Sequence, residues 1–305
     1  MPPPAADPRI GVVGAGLMGA EIALVFALAG MDVLLSDKDP AALDAALARI
    51  GNLLDRGVAR GFYTGDRRDA ALARLRTTTD LADFAECDLV TEAVFESLEI
   101  KQQVLAALDR ACSAACVIAS NTSTLPISTL GAALRPERRP SFLGTHYFSP
   151  VSHMQLVELV PGFDTDPEIL AWTGALLGRV GKQVIAVKDV AGFAVNRMLH
   201  AMLIEAVRLV EEGVATAEDL DTACRLGLGH PIGPFALMDA VTSGLCVQVQ
   251  QILHDSYGER FRPPALLRQR VAAGYGGGRG KPGWLEHRAE KRSPVFRNKD
   301  VITEA

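Results

Sequence analysis

The chain has 305 residues, of which 49% are hydrophobic, so it is long enough to bury a large core in one or two domains. Its formal net charge of −5 argues against a general role in binding nucleic acid or a membrane surface. The five cysteines show no CxxC or metal-ligand spacing, so we predict no metal site and a reducing, cytoplasmic setting.

The first two thirds of the chain alternate strand and helix patterns. Residues 1–8 lack an apolar core, so we expect no signal peptide, and the apolar run at 22–31 is too short to span a bilayer. Residues 40–76 repeat Ala and Leu at helical period, which predicts a helical hairpin inserted after the second strand. Strands are predicted at 9–13, 32–36, 88–91, 116–120, 142–146, 155–160 and 183–187, and helices at 17–29 and 98–112.

This alternation predicts an α/β fold, in which a Rossmann-type doubly wound sheet is mostly parallel and carries helices on both faces. After residue 189 the pattern changes to long helices at 195–212, 217–226 and 234–257, with no strand between them. We therefore predict a Rossmann-like domain over residues 1–189 and an all-α domain over 190–305. The stretch 274–283 is rich in Gly, so we expect a loop there, followed by a loosely ordered tail.

A glycine motif of the GxGxxG type lies between the first predicted strand and the helix that follows it. In such motifs the first glycine permits a tight turn, the second lets the backbone approach a pyrophosphate, and the third allows close packing of helix on strand. The helix N-terminus then offers N–H groups to the phosphates. The motif residues expected at the cofactor are Gly14, Gly16, Leu17, Met18 and Gly19.

Asp37 ends the second strand, about 20 residues after the motif. A carboxylate there accepts hydrogen bonds from an adenosine ribose and repels a 2′-phosphate, which favours NAD over NADP. The alternative is a glycine turn followed by an unrelated surface acid. Because strand, motif, helix, strand and acid occur in the required order, we predict an NAD site.

His146 and Glu158 are the candidate catalytic pair. If the strands at 142–146 and 155–160 are antiparallel around a turn near Ser152, these two residues lie directly opposite each other. A carboxylate beside an imidazole fixes its tautomer and stabilises its protonated form, as a general base requires. An isolated Glu in an apolar strand is costly unless it is paired, which supports this arrangement. The alternative for His146 alone is a half-buried histidine with a structural role. His153, by contrast, is expected in the turn, where it faces solvent.

These blocks resemble the 3-hydroxyacyl-CoA dehydrogenase family. The matching segments are residues 11–19, 91–96, 120–125, 146–151, 156–158, 192–197 and 233–235, in the family's order and spacing. The resemblance implies reversible, NAD-dependent oxidation of an L-3-hydroxyacyl-CoA to the 3-ketoacyl-CoA, a reaction of fatty-acid β-oxidation. It also implies a homodimer formed through the C-terminal domain.

The resemblance also implies a role for individual residues. His146 corresponds to the catalytic base and Glu158 to its partner, whereas Ser123 and Asn196 correspond to hydrogen-bond partners of the substrate's reacting oxygen. On the inserted hairpin, the family binds CoA, and the basic residues there that could meet its phosphates are Arg56, Arg60, Arg67 and Arg68. Of these, Arg56 and Arg60 are the predicted CoA contacts. A solvated charged face is the alternative for all four. Cofactor contacts on the nicotinamide side are implied for Glu96 and Lys101.

The sequence departs from the family pattern at several positions. Ser149 replaces a common Asn, and we expect its hydroxyl to contact the cofactor in the same way. Ala191 replaces a Pro before Gly192, and Ala236 replaces a frequent Glu. In the C-terminal block, Arg279 is expected to replace a cofactor-contacting Lys.

Three alternatives bear on function. A β-hydroxyacid dehydrogenase would need a Lys one turn before Asn196, where this chain has Gly192. A non-catalytic NAD-binding protein would have little need for the four polar residues Ser123, His146, Glu158 and Asn196 together. A dehydrogenase of the same fold that acts on a free hydroxy acid or sugar acid remains open, because only the basic hairpin separates it from a CoA-linked enzyme.

Overall fold

The structure, a computed structural model, describes residues 7–285. The chain divides into two compact units, Met1–Phe193 and Ala194–Ala305. The N-terminal residues 1–6 and the predicted loose tail at 286–305 lie outside the described residues. Within the described part, every helix is too short or too polar to cross a bilayer.

Unit 1 contains one eight-stranded sheet. Its strands, in chain order, are β1 (Ile10–Val13), β2 (Val33–Ser36), β3 (Leu75–Thr78), β4 (Leu89–Glu92), β5 (Val117–Ser120), β6 (Phe142–Tyr147), β7 (Leu156–Pro161) and β8 (Gln183–Ala186). The order across the sheet is β3-β2-β1-β4-β5-β6-β7-β8. The pairing of β6 with β7 is antiparallel and every other pairing is parallel, so β7 and β8 run against the first six strands.

Helices cover both faces of this sheet. They are α1 (Leu17–Leu28), α2 (Pro40–Ala59), α3 (Gly65–Ala73), α4 (Leu98–Ala111), α5 (Ile127–Gly131) and α6 (Pro167–Arg179). Helices α1, α2 and α6 share one buried apolar cluster, and α4 and α5 share the cluster on the opposite face. Strands β1, β4 and β5 are buried at every residue, and each begins with apolar residues, as expected for parallel strands covered on both faces. The predicted doubly wound Rossmann-type sheet is therefore confirmed.

The predicted helical hairpin is wrong at its C-terminal end. Helix α3 ends at Ala73, and residues 75–78 form the edge strand β3 beside β2. This strand exposes side chains on both faces, so it lacks the apolar alternation that marks a half-buried strand. Helix α6 is not among the helices predicted from the sequence, although Asp166 caps its first turn and Pro167 begins it.

Unit 2 is all-helical, as predicted. Its helices are α7 (Val195–Glu211), α8 (Ala217–Gly227), α9 (Pro234–Val241), α10 (Ser243–Tyr257) and α11 (Ala265–Ala272). The single helix predicted over 234–257 is wrong, because Thr242 takes a φ of +81° and separates α9 from α10. Its hydroxyl accepts a hydrogen bond from the Leu245 N–H and so caps the second helix.

The glycine-rich segment at 274–283 is a loop, as predicted, but its end is anchored to the core of unit 2. Asp239 is fully buried, and its carboxylate accepts hydrogen bonds from the backbone N–H groups of Trp284 and Leu285, at 2.8 and 3.1 Å. The Trp284 indole packs on Phe235, with ring centroids 4.9 Å apart. The divergent C-terminal block therefore contributes a buried aromatic side chain to this unit.

Candidate active site

The turn between β1 and α1 is shaped by its glycines. Gly14 has a φ of +102°, and a Cβ there would lie 2.6 Å from the Ala93 carbonyl oxygen. A Cβ on Gly19 would lie 1.8 Å from the Gly14 carbonyl oxygen. By contrast, a Cβ on Gly16 would meet no atom of residues 7–285 within 4 Å. Packing therefore requires the first and third glycines, whereas Gly16 leaves open space that a phosphate can approach.

The N-terminus of α1 begins at this open space. Within the described part of the chain, no side chain caps it, and its first turn contains no acidic residue. Leu17 is about half exposed beside it, and Met18 packs partly against the core. Uncapped N–H groups at a helix N-terminus suit an anion, so these residues fit the pyrophosphate of a dinucleotide.

Asp37 lies immediately after β2 and next to the glycine turn. Its Oδ2 accepts a hydrogen bond from the Ala15 N–H at 2.8 Å, and its Oδ1 accepts one from the Asp39 N–H at 3.1 Å. These bonds fix the carboxylate, and each oxygen keeps a further lone pair for a ribose hydroxyl. The position and charge of Asp37 fit NAD and oppose a 2′-phosphate.

Glu96 organises the loop after β5 that carries Ser123. Its Oε1 accepts hydrogen bonds from the Thr122 hydroxyl at 2.6 Å, the Ser123 N–H at 2.9 Å and the Thr124 N–H at 3.1 Å. Burial acts to raise the pKa of Glu96, but Lys101 and the Thr122 and Ser123 donors outweigh it, so the pKa lies below its ordinary value. Glu96 is therefore an anion that holds Ser123 in place.

Lys101 lies beneath Glu96 and is completely buried. Its Nζ is 2.8 Å from Glu92 Oε1 and 3.2 Å from Glu96 Oε2, and it donates to the Val94 carbonyl at 3.3 Å. All three protons of the ammonium thus have acceptors inside the protein. The structure therefore places Lys101 as a support for Glu96 instead of at an open surface.

His146 and Glu158 face each other across the antiparallel pair β6–β7, in the predicted register. His146 Nδ1 lies 2.7 Å from Glu158 Oε2. The carboxylate of Glu158 is fully buried and the imidazole is 5% exposed, so solvent scarcely weakens the contact. With Nδ1 donating to the carboxylate, Nε2 is the ring nitrogen that can exchange a proton with a ligand.

Aromatic side chains and the neighbouring strand fix the end of β6. The His146 ring centroid is 4.5 Å from that of Phe148 and 5.6 Å from that of Phe193. Asn121, which directly follows β5, accepts a hydrogen bond from the Tyr147 N–H at 2.9 Å. The imidazole therefore has both its position and its ring plane defined by neighbours in unit 1.

The loop from residue 148 to 155 joins the two catalytic strands and is held from two sides. Glu21 on α1 accepts hydrogen bonds from the Ser152 N–H and hydroxyl, at 3.0 and 3.1 Å. Lys182 donates to the carbonyls of Val151 and Met154. Burial lowers the pKa of Lys182 to about 8, against the opposing influence of Glu21. In this loop His153 is exposed, as predicted, and so is Ser149.

The other residues predicted to bind CoA, substrate or cofactor are distant in sequence from His146 and Glu158. Arg56 and Arg60 are exposed at the C-terminal end of α2, whereas Arg68 forms ion pairs with Asp55 and Asp69. Asn196 in α7 and Arg279 in the glycine-rich loop belong to unit 2.

Residues 9–190 match the NAD-binding domain of the 3-hydroxyacyl-CoA dehydrogenase family, and residues 192–287 match its C-terminal domain. The chain belongs to the 3-hydroxyacyl-CoA dehydrogenase family. The resemblance seen in the sequence blocks is therefore confirmed. A 3-hydroxybutyryl-CoA dehydrogenase of Bradyrhizobium diazoefficiens is 38% identical over 289 residues, which cover 94% of this chain and 98% of the relative.

The chain is also similar to solved structures of 3-hydroxyacyl-CoA dehydrogenases and related proteins. FadB2 of M. tuberculosis is 40% identical, with a TM-score of 0.88 over 92% of this chain and 99% of that one. The (S)-3-hydroxybutyryl-CoA dehydrogenase PaaH1 of Ralstonia eutropha is 36% identical, with a TM-score of 0.87 over 91% of this chain and 98% of that one. This member of the family is thus an NAD-dependent oxidoreductase, and the cofactor predicted from the glycine turn and Asp37 is confirmed.

Proposed function

We propose that this enzyme interconverts L-3-hydroxyacyl-CoA and 3-ketoacyl-CoA, with His146 as the general base. The curated relative and one solved structure carry the name 3-hydroxybutyryl-CoA dehydrogenase, which supports a short acyl chain and makes acetoacetyl-CoA the first substrate to test. NAD supplies the hydride acceptor in the oxidative direction and, when reduced, the hydride donor in the other.

The observation that carries the proposal is the buried contact of 2.7 Å between His146 Nδ1 and Glu158 Oε2. In the oxidative direction, His146 Nε2 takes the proton of the substrate hydroxyl. The imidazolium that results gains its stability from Glu158, which lies opposite on β7. In reverse, the same nitrogen returns the proton to the carbonyl oxygen.

Ser123 is the proposed hydrogen-bond partner of the reacting oxygen in unit 1. Its loop lies at the end of β5, the strand next to β6, and Glu96 fixes its backbone. Asn196 and Arg279, in unit 2, keep the roles that the resemblance implies as predictions. For the cofactor we propose Asp37 at the adenosine ribose, the glycine turn at the phosphates, and Glu96 and Ser149 toward the nicotinamide.

We also propose that the enzyme is a homodimer and is cytoplasmic. Unit 2 exposes large apolar side chains, among them Leu226 at 82% and Met198 at 67%, which supports a homodimer through this unit. The five cysteines are all free thiols, which supports a reducing, cytoplasmic setting.

The test of the proposed base is His146→Gln. We expect kcat for reduction of acetoacetyl-CoA by NADH to fall by about two orders of magnitude or more, because the proton donor is lost. The dissociation constant for NADH, measured by its fluorescence, should change less than about twofold. His153→Gln is the matched control, since His153 is exposed seven residues further on. Near-wild-type activity in His146→Gln would show that another group is the base.

The same assay tests the CoA assignment. Wild-type enzyme is compared on acetoacetyl-CoA, longer 3-ketoacyl-CoAs and free acetoacetate, each with NADH and with NADPH. We expect kcat/KM to be far higher for the thioesters and for NADH. Equal or better activity on the free acid would contradict the CoA assignment. The protein would still be a dehydrogenase, but its substrate would be a free hydroxy acid.

A further inference from the structure

Three ionisable side chains form a group at the C-terminal end of β4, which we call the acidic cluster: Glu92, Lys101 and Glu96, whose side chain is 36% exposed. Glu92 and Lys101 are completely buried. Both carboxylates contact the same ammonium, at 2.8 Å for Glu92 and 3.2 Å for Glu96. Two carboxylates and one ammonium give the cluster a formal net charge of −1.

Neutral groups complete the acidic cluster. Glu92 Oε1 also accepts from the Val94 N–H, and its Oε2 accepts from the Ser120 hydroxyl, each at 2.7 Å. Glu96 Oε1 is occupied by donors from the loop that carries Ser123. Among the described residues, Lys101 is the one cation in an ion pair with either carboxylate. The excess negative charge is therefore built in and shielded from solvent on the Glu92 side.

The order of the strands locates this charge along the cofactor. Across the sheet, Asp37 follows β2, the glycine turn follows β1, the acidic cluster lies between β4 and β5, and His146 ends β6. With the adenosine ribose at Asp37 and the phosphates at the turn, the nicotinamide end extends toward His146. Neighbouring strands are about 4.8 Å apart and β5 separates β4 from β6, so the end of β6 that carries His146 lies roughly 10 Å from the end of β4 that carries Glu92. This step rests on the proposed function.

We propose that the acidic cluster strengthens the binding of NAD+ and leaves the binding of NADH almost unchanged. Glu92 supplies its excess negative charge. The nicotinamide ring is cationic in NAD+ and neutral in NADH, whereas the rest of the cofactor is the same in both. A fixed negative charge beside the ring therefore stabilises one redox state and leaves the other almost unaffected. Glu92 is buried beneath Lys101 and acts on the ring only through its charge, so it is not a catalytic residue.

This preference changes the balance of species on the enzyme. The overall equilibrium of the reaction is fixed by its reactants, so the cluster cannot alter it. It shifts the internal equilibrium toward bound NAD+ and hydroxyacyl-CoA, which favours the reductive direction on the enzyme surface.

Glu92→Gln tests the proposal, because the amide keeps the size of the side chain and removes its charge. Dissociation constants for NAD+ and for NADH are measured separately by titration calorimetry, without acyl-CoA. We expect the constant for NAD+ to rise about three- to tenfold and the constant for NADH to change less than about twofold. Glu92→Asp, which keeps the charge, should restore most of the preference for NAD+.

Glu99→Gln is the matched control. Glu99 is an exposed carboxylate in the first turn of α4, so this variant makes the same change in net charge and should leave both constants unchanged. Equal weakening of NAD+ and NADH in Glu92→Gln would assign Glu92 a structural role and overturn the proposal. If that variant does not fold, Glu96→Gln removes the other carboxylate. Because Glu96 also holds the Ser123 loop, the readout is then the ratio of the two dissociation constants: a loss of the preference for NAD+ supports the proposal, and an unchanged ratio overturns it. The base assignment is tested separately by His146→Gln.

Discussion

His200 is a buried imidazole on α7, 5% exposed, and its Nδ1 has no hydrogen-bond partner among the described residues. Burial lowers its pKa to about 4. The folded protein therefore keeps His200 neutral at pH values where the unfolded chain, with an ordinary pKa near 6.5, already binds a proton. A neutral buried imidazole stabilises the folded state above pH 6.5, and that contribution is lost as the pH falls toward 4.

We predict that His200→Gln removes this acid sensitivity. Between pH 6.5 and 4 the wild type should lose about 3 kcal/mol of unfolding free energy more than the variant, from a pKa difference of about 2.5. Urea unfolding at a series of pH values measures the difference. His230→Gln, at a more exposed position in the same unit, is the control and should follow the wild type. Parallel curves for wild type and His200→Gln would refute the prediction.

At the residue scale, the sequence allowed the prediction of pairs that local geometry dictates. Period-2 alternation and a turn near Ser152 were enough to place Glu158 opposite His146. Glu92 was missed, although the same reasoning applies to it: it is an acid at the end of an apolar strand and requires a partner. That partner, Lys101, comes from a helix nine residues later, and no strand register predicts such a contact.

At the element scale, the loop between β6 and β7 determines how well the catalytic strands are aligned. Glu21 of α1 and Lys182, just before β8, both bind the stretch of this loop from Val151 to Met154. Neither residue belongs to the loop or to the two strands, so elements distant in sequence keep His146 and Glu158 in register. Lys182 binds backbone carbonyls of the loop, and Glu21 binds both the backbone N–H and the hydroxyl of Ser152.

We predict that Lys182→Met weakens this support. The variant loses two hydrogen bonds from a charged donor, so we expect a loss of stability of about 2–3 kcal/mol and a kcat lowered about three- to tenfold, with little change in the KM for NADH. Thermal unfolding and steady-state kinetics measure both effects. Lys188→Met removes an exposed lysine six residues away and serves as the control. A stable variant with unchanged kcat would show that the loop needs no such anchor.

Elements with a strong apolar period were predicted well, and those without one were not. The buried strands β1, β4 and β5 are predicted from the apolar residues with which they begin. The edge strand β3 has exposed side chains on both faces and is specified by backbone pairing with β2, a tertiary contact that has no local signal. The break at Thr242 lies within a continuous apolar pattern, so a helical period alone joins α9 and α10.

At the scale of the whole molecule, the charge distribution bears on how a CoA ester binds. The chain has a formal charge of −5, and CoA carries several phosphate charges, so the overall field opposes association. A CoA-linked enzyme therefore needs local positive charge. Arg56 and Arg60 are exposed in unit 1 and form no ion pair with a described residue, whereas Arg68 is neutralised by Asp55 and Asp69.

We predict that replacing both Arg56 and Arg60 by Gln raises the KM for acetoacetyl-CoA about three- to tenfold and leaves kcat and the KM for NADH within about twofold. The reason is that the lost charges attract the CoA phosphates and contact no reacting atom. Added salt should reduce the difference between the variant and the wild type, since it screens exposed charges. Arg68→Gln is the matched control, because its guanidinium is already paired, and it should have less effect. Equal effects of the paired and unpaired arginines would mean that this face of the hairpin is simply solvated, and CoA would then bind elsewhere.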